Sequence, residues 1–315
     1  MEYRQLGPTG LQVSTVGLGT NNFGFRMDEE SSIAVCRHAV EEEGINFIDT
    51  ANSYGRFLSE ERIGKAVKDM RSQVLIGSKF GNSMGDGPNT RGASRYHIMQ
   101  QVEGSLRALD TDYIDLYMIH RPDPNTPIEE TIRAMDDLVH QGKVRYIGCS
   151  NFSAWQLCEA IWTSKALNLS PFVCAQNAYN MLDRSVEWEL VPFCREYNVG
   201  IIPFVPLAGG FLTGKYRQGQ AVPEGTRLAG NTRAQQNTLT EKNYNMLTKL
   251  ENFAEERGHP IVELAIAWLL GNTTVSSVIA GATKPEQVTA NAKAADWHLT
   301  PEDMQEIGEI LKSGD

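Results

Sequence analysis

Eight short apolar segments alternate along this chain with longer amphipathic segments of helical period. The apolar segments predict strands at 16–19, 46–49, 74–79, 113–120, 144–149, 172–176, 200–204 and 276–279. The amphipathic segments predict helices near 28–43, 59–68, 94–108, 127–141, 153–163, 184–197, 241–257 and 261–270, with a last helix after Thr300. Such alternation is typical of parallel β/α architecture. Eight repeats favour a (β/α)8 TIM barrel.

Two further features refine this fold class. Extended pieces at 3–6 and 11–13 flank Gly7-Pro8-Thr9-Gly10, which predicts an N-terminal β-hairpin. The segment 205–240 after the seventh strand is rich in Gly and Pro and predicts a long functional loop, followed by extra helices. An open doubly wound sheet would carry G-x-G-x-x-G after its first strand, and 17–22 lacks the third glycine. A chain of 315 residues is then one barrel domain, 1–315.

The composition excludes several classes of function. A formal net charge of -10 argues against a nucleic-acid or anionic-membrane partner, because both need a basic surface. No signal peptide and no apolar run of about 18 residues is visible. The five cysteines are scattered without zinc-type spacing, which favours reduced thiols in a cytoplasmic protein and predicts no metal site.

Three strand ends carry polar residues that belong together chemically. Asp49 closes the apolar run 45–48 with Tyr54 five residues further on, Lys79 ends the next strand, and His120 ends the one after. Carboxyl ends of barrel strands meet at one rim, so these side chains are expected to converge. Taken alone, Asp49 fits a helix cap equally well.

A carboxylate, a phenol, an ammonium and an imidazole form an acid/base set. Tyr54 has an ordinary pKa near ~10, and a nearby Lys79 is expected to lower it by stabilising the phenolate. Asp49 would keep Lys79 charged and aimed at the phenol. His120 can donate a hydrogen bond to a carbonyl oxygen while negative charge develops there. The set suits addition of a hydride and a proton to C=O.

These segments resemble the aldo-keto reductase superfamily over nearly the whole chain. The similar segments are Phe47-Ile48-Asp49-Thr50-Ala51 to Tyr54-Gly55, Ser78-Lys79, and Asp115-Leu116 to Ile119-His120. The resemblance is to the branch that holds potassium-channel β-subunits and aflatoxin-aldehyde reductases. It implies that Tyr54 is the proton donor, that Lys79 and Asp49 tune it, and that His120 orients the carbonyl.

The resemblance also implies a nicotinamide site. Ser150, Asn151 and Gln176 are similar to residues that hold the carboxamide, although Ser150 and Asn151 fit a cap of the next helix as well. The segment 204–216 is similar to the family's pyrophosphate segment, in which glycines let backbone amides approach phosphates. The cofactor residues implied are Gly19, Thr20, Asn21, Asp49, Ser150, Asn151, Gln176, Phe204, Val205, Pro206, Leu207, Gly209, Lys215, Arg227, Gly281, Thr283, Lys284, Gln287 and Asn291.

The segment 281–291 bears on which cofactor is preferred. Thr283 and Glu286 predict a capping box, which leaves backbone N–H groups and a positive helix end free for an anion. Lys284 beside them suits the 2′-phosphate of NADP(H), which is therefore expected in preference to NAD(H). The sequence departs from its relatives at Val205, which lacks a hydroxyl, and at Ala290, where relatives often carry Glu.

The primary hypothesis is an NADPH-dependent reductase of small-molecule aldehydes and ketones. A second is a regulatory or redox-sensor protein that binds nicotinamide with little turnover, and a third uses Lys79 as the Schiff-base lysine of an aldolase-like barrel. The residues expected to line the substrate pocket are Phe23, Phe25, Phe80 and Arg121. The physiological substrate and the oligomeric state do not follow from the sequence.

Overall fold

The computed structural model describes residues 1–312 and begins with the expected hairpin. Strands β1 (Tyr3–Gln5) and β2 (Gln12–Ser14) pair antiparallel. Leu6 and Val13 are fully buried and pack with residues of the barrel interior such as Phe47 and Ile202. Ser276 donates to Gln5 O at 3.0 Å. The hairpin thus covers the end of the barrel where the strands begin.

Eight parallel strands follow, in the order that the sequence predicts. They are β3 (Val16–Gly19), β4 (Phe47–Asp49), β5 (Leu75–Phe80), β6 (Ile114–Ile119), β7 (Val144–Ser150), β8 (Cys174–Gln176), β9 (Gly200–Ile201) and β10 (Val278–Gly281). Neighbouring strands pair from β10 through β3 to β9. Parallel bridges from Ile201 to Val275 and from Phe204 to Ile279 join the two edges, so the sheet curls into a barrel.

Strand ends differ from the predicted ones by a few residues. The ladder of β9 stops at Ile201 and resumes only as a bridge at Phe204. Pro203 between them has no N–H to donate. β10 lies two residues further along than predicted, which brings Gly281 to the rim of the barrel.

Helices surround the barrel. They are α1 (Glu29–Glu41), α2 (Leu58–Val67), α3 (Arg95–Leu109), α4 (Ile128–His140), α5 (Ala154–Leu167), α6 (Leu190–Glu196), α7 (Thr232–Thr238), α8 (Glu241–Glu256), α9 (Ile261–Leu270), α10 (Pro285–Lys293) and α11 (Pro301–Lys312). Two predictions were wrong: the helix at 184–197 is a 3-10 turn plus the shorter α6, and the loop 205–240 contains α7.

Capping residues explain several helix starts. The side chain of Asp28 accepts from Ser31 N before α1, and that of Thr240 accepts from Asn243 N before α8, so each satisfies a backbone donor that the helix leaves free. The helices bury their apolar faces against the sheet. Within 1–312, no helix is long and apolar enough to cross a membrane.

Candidate active site

Asp49 and Lys79 form a buried ion pair at the ends of adjacent strands β4 and β5. Lys79 Nζ lies 2.7 Å from Asp49 Oδ1 and also donates to Thr50 O at 2.6 Å. Lys79 is fully buried and Asp49 is 3% exposed. Burial lowers the pKa of Lys79, but the nearby Asp49 carboxylate and Tyr54 phenol outweigh it, so the pKa is raised overall. The lysine is held as an ammonium.

That protonation state bears on the Schiff-base hypothesis. A lysine must lose its proton to attack a carbonyl, and Schiff-base lysines have lowered pKa values. Lys79 has a raised pKa, and its Nζ is occupied by two oxygen acceptors. The arrangement therefore disfavours the aldolase-like reading.

The Tyr54 phenol stands over this pair. Lys79 Nζ lies 5.3 Å from the centroid of the Tyr54 ring. Burial raises the pKa of Tyr54, and the Lys79 ammonium offsets only part of that rise. The expectation of a lowered pKa is corrected in this respect: Lys79 acts in the predicted direction, but burial is larger. Tyr54 thus keeps its proton at neutral pH, as a proton donor must.

His120 faces the phenol from the end of β6. The Tyr54 and His120 rings meet edge to face, with centroids 5.9 Å apart. Burial, Lys79 and Arg121 lower the pKa of His120 to about 3, so the imidazole is neutral at pH 7. Asn82 Nδ2 donates to His120 Nδ1 at 3.1 Å. The proton of the neutral ring is therefore on Nε2, which is a hydrogen-bond donor.

Asn82 is a site residue that the sequence reasoning did not single out. It lies two residues after the end of β5 and contacts both His120 Nδ1 and Ser53 Oγ. An amide at this place selects the tautomer of the His120 imidazole. The position just beyond a strand end, next to Lys79, was the available signal.

A left-handed turn follows Tyr54. Gly55, Arg56 and Phe57 all have positive φ values, of 67°, 54° and 74°. Such a conformation is unfavourable for Arg and Phe and is held here by the surrounding packing. Gly24 lies directly against the Tyr54 carbonyl, with no room for a Cβ atom. The turn and Gly24 together fix the Tyr54 backbone.

The predicted carboxamide residues meet at the ends of β7 and β8. Gln176 is buried and donates from Nε2 to Asp49 Oδ1 at 2.8 Å, which links this region to the ion pair. Asn151 Nδ2 donates to His120 O and to Ser150 Oγ. Ser153 and Gln156 form the capping box of α5, so Ser150 and Asn151 are not needed as caps.

Gly19, Thr20 and Asn21 lie at the end of β3. Thr20 is fully buried and its hydroxyl donates to Asp49 O at 2.8 Å. Its side chain thus braces the strand that carries Asp49. Asn21 begins the 3-10 turn Asn21–Gly24. Gly19 pairs with Asp49 across β3 and β4, so this strand end lies beside the ion pair.

The segment after β9 has an unusual backbone. Val205 has φ 56°, a strained value for a β-branched residue, and Asn180 donates to its carbonyl oxygen. Gly209 and Gly210 are also left-handed, at φ 68° and 91°. Lys215 is exposed and its Nζ approaches Gly210, where a Cβ would meet it at 2.6 Å.

The other predicted cofactor residues of the segment after β9 differ in exposure. Phe204, Leu207 and Gly209 are partly exposed, and Pro206 is buried. Arg227 is exposed, and its charge acts on the Tyr54 phenol. The part of the loop that carries Arg227 therefore lies close enough to the barrel mouth for its charge to act on Tyr54.

The segment beside β10 differs from the predicted capping box. The N-cap of α10 is Lys284, without a side-chain cap, and Pro285 starts the helix. Gln287 Oε1 accepts from Thr283 N at 2.7 Å, so Gln287 rather than Glu286 reaches back. The helix start is still free for an anion. Gly281 and Lys284 are exposed, whereas Asn291 is buried.

Two of the four predicted substrate residues need correction. Phe23 and Phe80 are fully buried, and the rings of Phe80 and Tyr117 pack at a tilt of 31° with their centroids 5.0 Å apart. Their side chains belong to the core between barrel and helices and do not line the opening. Alternation explains Phe80, because it follows the inward-facing Lys79 in β5. Phe25, which is 70% exposed, and Arg121 remain at the surface.

These residues fit a nicotinamide dinucleotide in their chemistry. Buried amide and hydroxyl groups of Gln176 and Ser150 suit a carboxamide. A Cβ on Gly281 would meet only Gly19 O and an Asn22 nitrogen, at 3.7 and 3.8 Å, so the backbone there is open to close approach. Exposed cations at Lys215, Arg227 and Lys284 suit phosphates. Among residues 1–312, no cluster of His, Cys, Asp and Glu is arranged to hold a metal ion.

Comparison with known proteins agrees with this geometry. The sequence model of the aldo/keto reductase family matches residues 15–312. The chain belongs to the aldo/keto reductase family. Members of this family are oxidoreductases that act on small-molecule carbonyl substrates with nicotinamide cofactors.

Relatives match along nearly the whole chain. A probable voltage-gated potassium channel subunit beta of Oryza sativa is 38% identical, over 99% of this chain and 97% of its own. An uncharacterized oxidoreductase of Bacillus subtilis, YrpG, is 37% identical over 99% and 96%. The aldo-keto reductase YhdN of the same organism is 36% identical over 99% and 94%. The family inferred from the sequence is confirmed, and the relatives include proteins named as potassium channel β-subunits and as aldo-keto reductases.

Proposed function

We propose that this aldo/keto reductase reduces aldehydes and ketones to alcohols with NADPH, and that Tyr54 is the proton donor. The observation that carries the proposal is the arrangement around the phenol. Lys79, paired with Asp49 at 2.7 Å, lies beneath the Tyr54 ring, and the neutral His120 faces the ring edge. A proton donor, the ammonium that stabilises its conjugate base and a hydrogen-bond donor for the carbonyl oxygen thus lie together at the barrel mouth.

The chain's own residues account for the proton side of the reaction. His120 Nε2–H and the Tyr54 hydroxyl both donate to the carbonyl oxygen and orient it. Bound NADPH supplies the hydride that adds to the carbonyl carbon. The C=O double bond becomes a single bond, and the oxygen takes the proton of Tyr54. The Lys79 ammonium stabilises the phenolate left behind, and Asp49 keeps Lys79 in position.

The preference for NADPH rests on exposed cations near the barrel mouth. Lys284 stands at the start of α10 and suits a 2′-phosphate. Lys215 and Arg227, on the loop after β9, suit the pyrophosphate. Gln176, fixed by its bond to Asp49, would hold the carboxamide through its free amide oxygen.

The test combines binding and turnover. Wild type and Tyr54→Phe are titrated with NADPH and NADH by fluorescence, and NADPH oxidation is then followed with 4-nitrobenzaldehyde. Tyr54→Phe removes only the hydroxyl, so both proteins should bind NADPH alike, while kcat falls by at least about 10²-fold in the variant. Equal turnover by the two proteins would remove Tyr54 as the donor.

A second function is favoured by one comparison. The relatives at 38% identity include proteins named as probable potassium channel β-subunits. A regulatory role would use the same nicotinamide site as a sensor with slow turnover. Tight retention of nucleotide through purification, together with negligible oxidation across several carbonyls, would support this role over the reductase.

We also place the protein in the cytoplasm as a single domain over 1–315. Its cysteines are free, and four of the five are buried, which fits a reducing compartment. The proposed partners are a small carbonyl or alcohol substrate and the nucleotide. Size-exclusion chromatography of the purified protein under reducing conditions would report its oligomeric state.

A further inference from the structure

A buried carboxyl group lies behind the strand that carries Lys79. Glu60, in the first turn of α2, is fully buried, and Ser78 donates to its Oε1 at 2.5 Å. Successive side chains of a strand point to opposite faces, so Ser78 faces the helices while Lys79 faces the barrel interior. We call Glu60, Ser78, Ser105 and Tyr117 the rear network; all four are 0% exposed.

Three atoms of the rear network have no hydrogen-bond partner among the described residues. They are Glu60 Oε2, Ser105 Oγ and Tyr117 OH. The Ser105 hydroxyl nevertheless lies close enough to influence both the Glu60 carboxyl and the Tyr117 phenol. Native proteins pair nearly all buried polar groups, and apolar residues of similar shape would fill such a space at little cost. A carboxyl group that is fully buried behind the strand of Lys79 is therefore the feature of this network that packing alone does not require.

We propose that Glu60 is a positioning residue for carbonyl reduction: from behind β5, its carboxylate sets the electrostatic potential at Lys79 and thereby controls how readily Tyr54 releases its proton. The inference rests on the proposed function and adds a residue to its machinery. Glu60 touches neither substrate nor cofactor. It acts through Lys79, the neighbour in sequence of its hydrogen-bond partner Ser78.

Two charged groups, Lys79 and Glu61, act on the Glu60 carboxyl. β5 contributes the Lys79 ammonium and the Ser78 hydroxyl, β6 the Tyr117 phenol, α3 the Ser105 hydroxyl, and α2 the exposed Glu61. Burial raises the pKa of the Glu60 carboxyl to about 7, and the two serines and Lys79 offset only part of the effect of burial. Glu60 thus changes charge within the working pH range of a cytoplasmic enzyme.

The sign of the effect follows from these charges. With Glu60 protonated, only Asp49 balances the Lys79 ammonium, and the phenolate of Tyr54 is well stabilised. With Glu60 ionised, a second carboxylate weakens the positive potential at the phenol, and proton release becomes harder. Reduction is therefore faster on the acid side of pH 7. His120 cannot supply this step, because its pKa is lowered to about 3.

The test compares wild type with Glu60→Gln and a matched control, Glu61→Gln. Glutamine keeps the side-chain size and the oxygen that accepts from Ser78 but cannot ionise. Across the pKa of Glu60, at about 7, wild-type kcat/KM for 4-nitrobenzaldehyde with NADPH should fall by about threefold. This fall in kcat/KM with pH should be absent in Glu60→Gln. It should persist in Glu61→Gln, where the lost charge is exposed. A Glu60→Gln profile that follows the wild type overturns the inference.

A second readout needs neither cofactor nor substrate. Each protein and its Tyr54→Phe counterpart are titrated with base, and their ultraviolet absorbance is compared. The difference between the two titrations reports the ionisation of Tyr54 alone. In the Glu60→Gln background, Tyr54 should titrate about 0.5 pH units lower, the equivalent of the threefold step. An unchanged midpoint overturns the inference even in an active enzyme. If the Tyr54 titration midpoint is lowered in Glu60→Gln but the wild-type protein oxidises no NADPH, the electrostatic influence of Glu60 on Tyr54 is supported. Only the proposed reductase function is then refuted.

Discussion

Replacing Gly24 by alanine is expected to displace Tyr54, the proposed proton donor. Gly24 ends the 3-10 turn Asn21–Gly24 and packs on the backbone of Tyr54. A Cβ at Gly24 would lie 2.4 Å from Tyr54 C, 2.5 Å from Tyr54 O and 2.6 Å from Gly55 N. The φ of Gly24 is not in the left-handed region, so alanine suits its backbone and lacks only space.

The size of the effect follows from the overlap. Ordinary contact with a Cβ begins at 3.4 Å, so the Tyr54 backbone or the turn must retreat by about 1.0 Å, the difference from 2.4 Å. The three nearest atoms are all backbone, so no side chain can rotate away. A misplacement of ~1 Å costs about 10²-fold in rate, and crowding of this kind costs about 1–3 kcal/mol of stability.

The assay measures kcat/KM for 4-nitrobenzaldehyde with NADPH, the Kd of NADPH, and thermal unfolding. Gly10→Ala is the matched control, because a Cβ there meets nothing within 4 Å. Gly24→Ala should lose about 10²-fold in kcat/KM while NADPH binding changes little. If Gly24→Ala stays within about threefold of Gly10→Ala, the placement of Tyr54 by this contact is refuted.

Three further results are expected. Lys284→Ala should weaken NADPH binding by about tenfold and leave NADH binding unchanged in fluorescence titrations, because only NADPH carries the 2′-phosphate; equal losses would contradict this role. Val205→Gly should leave the melting temperature about unchanged, since relief of about 1 kcal/mol of strain at φ 56° offsets the similar entropic cost of glycine, and a clear fall in the melting temperature would argue against strain there. The raised pKa of Glu60 predicts that the free energy of unfolding falls as pH rises from 4.5 to about 7, because the folded protein then binds more protons than the unfolded chain. Glu60→Gln should flatten this slope in urea titrations, and an identical slope would exclude Glu60 as its source.

The four proposed acid/base residues show how much of the site the local sequence pattern predicts. Asp49, Lys79 and His120 were predicted from apolar runs that end in polar residues, because parallel strands in a barrel end at one rim. Pairing of Asp49 with Lys79 follows from their places on adjacent strands. The wrong predictions concern the direction of side chains. An apolar residue such as Phe23 or Phe80 suits a substrate pocket and a hydrophobic core equally well, and only the packed structure shows that both face the core.

The sequence by itself determined the barrel, its hairpin and its family, and it predicted the acid/base residues, because strand period, turn residues and motif order are local properties. Only the tertiary structure decided the protonation states. Burial holds the proton on Tyr54, keeps the His120 imidazole neutral and raises the pKa of Glu60 to about 7, and burial depends on residues distant in the chain. Contacts such as Gly24 against Tyr54, or Asn82 against His120, likewise arise only when separate loops meet at the barrel mouth.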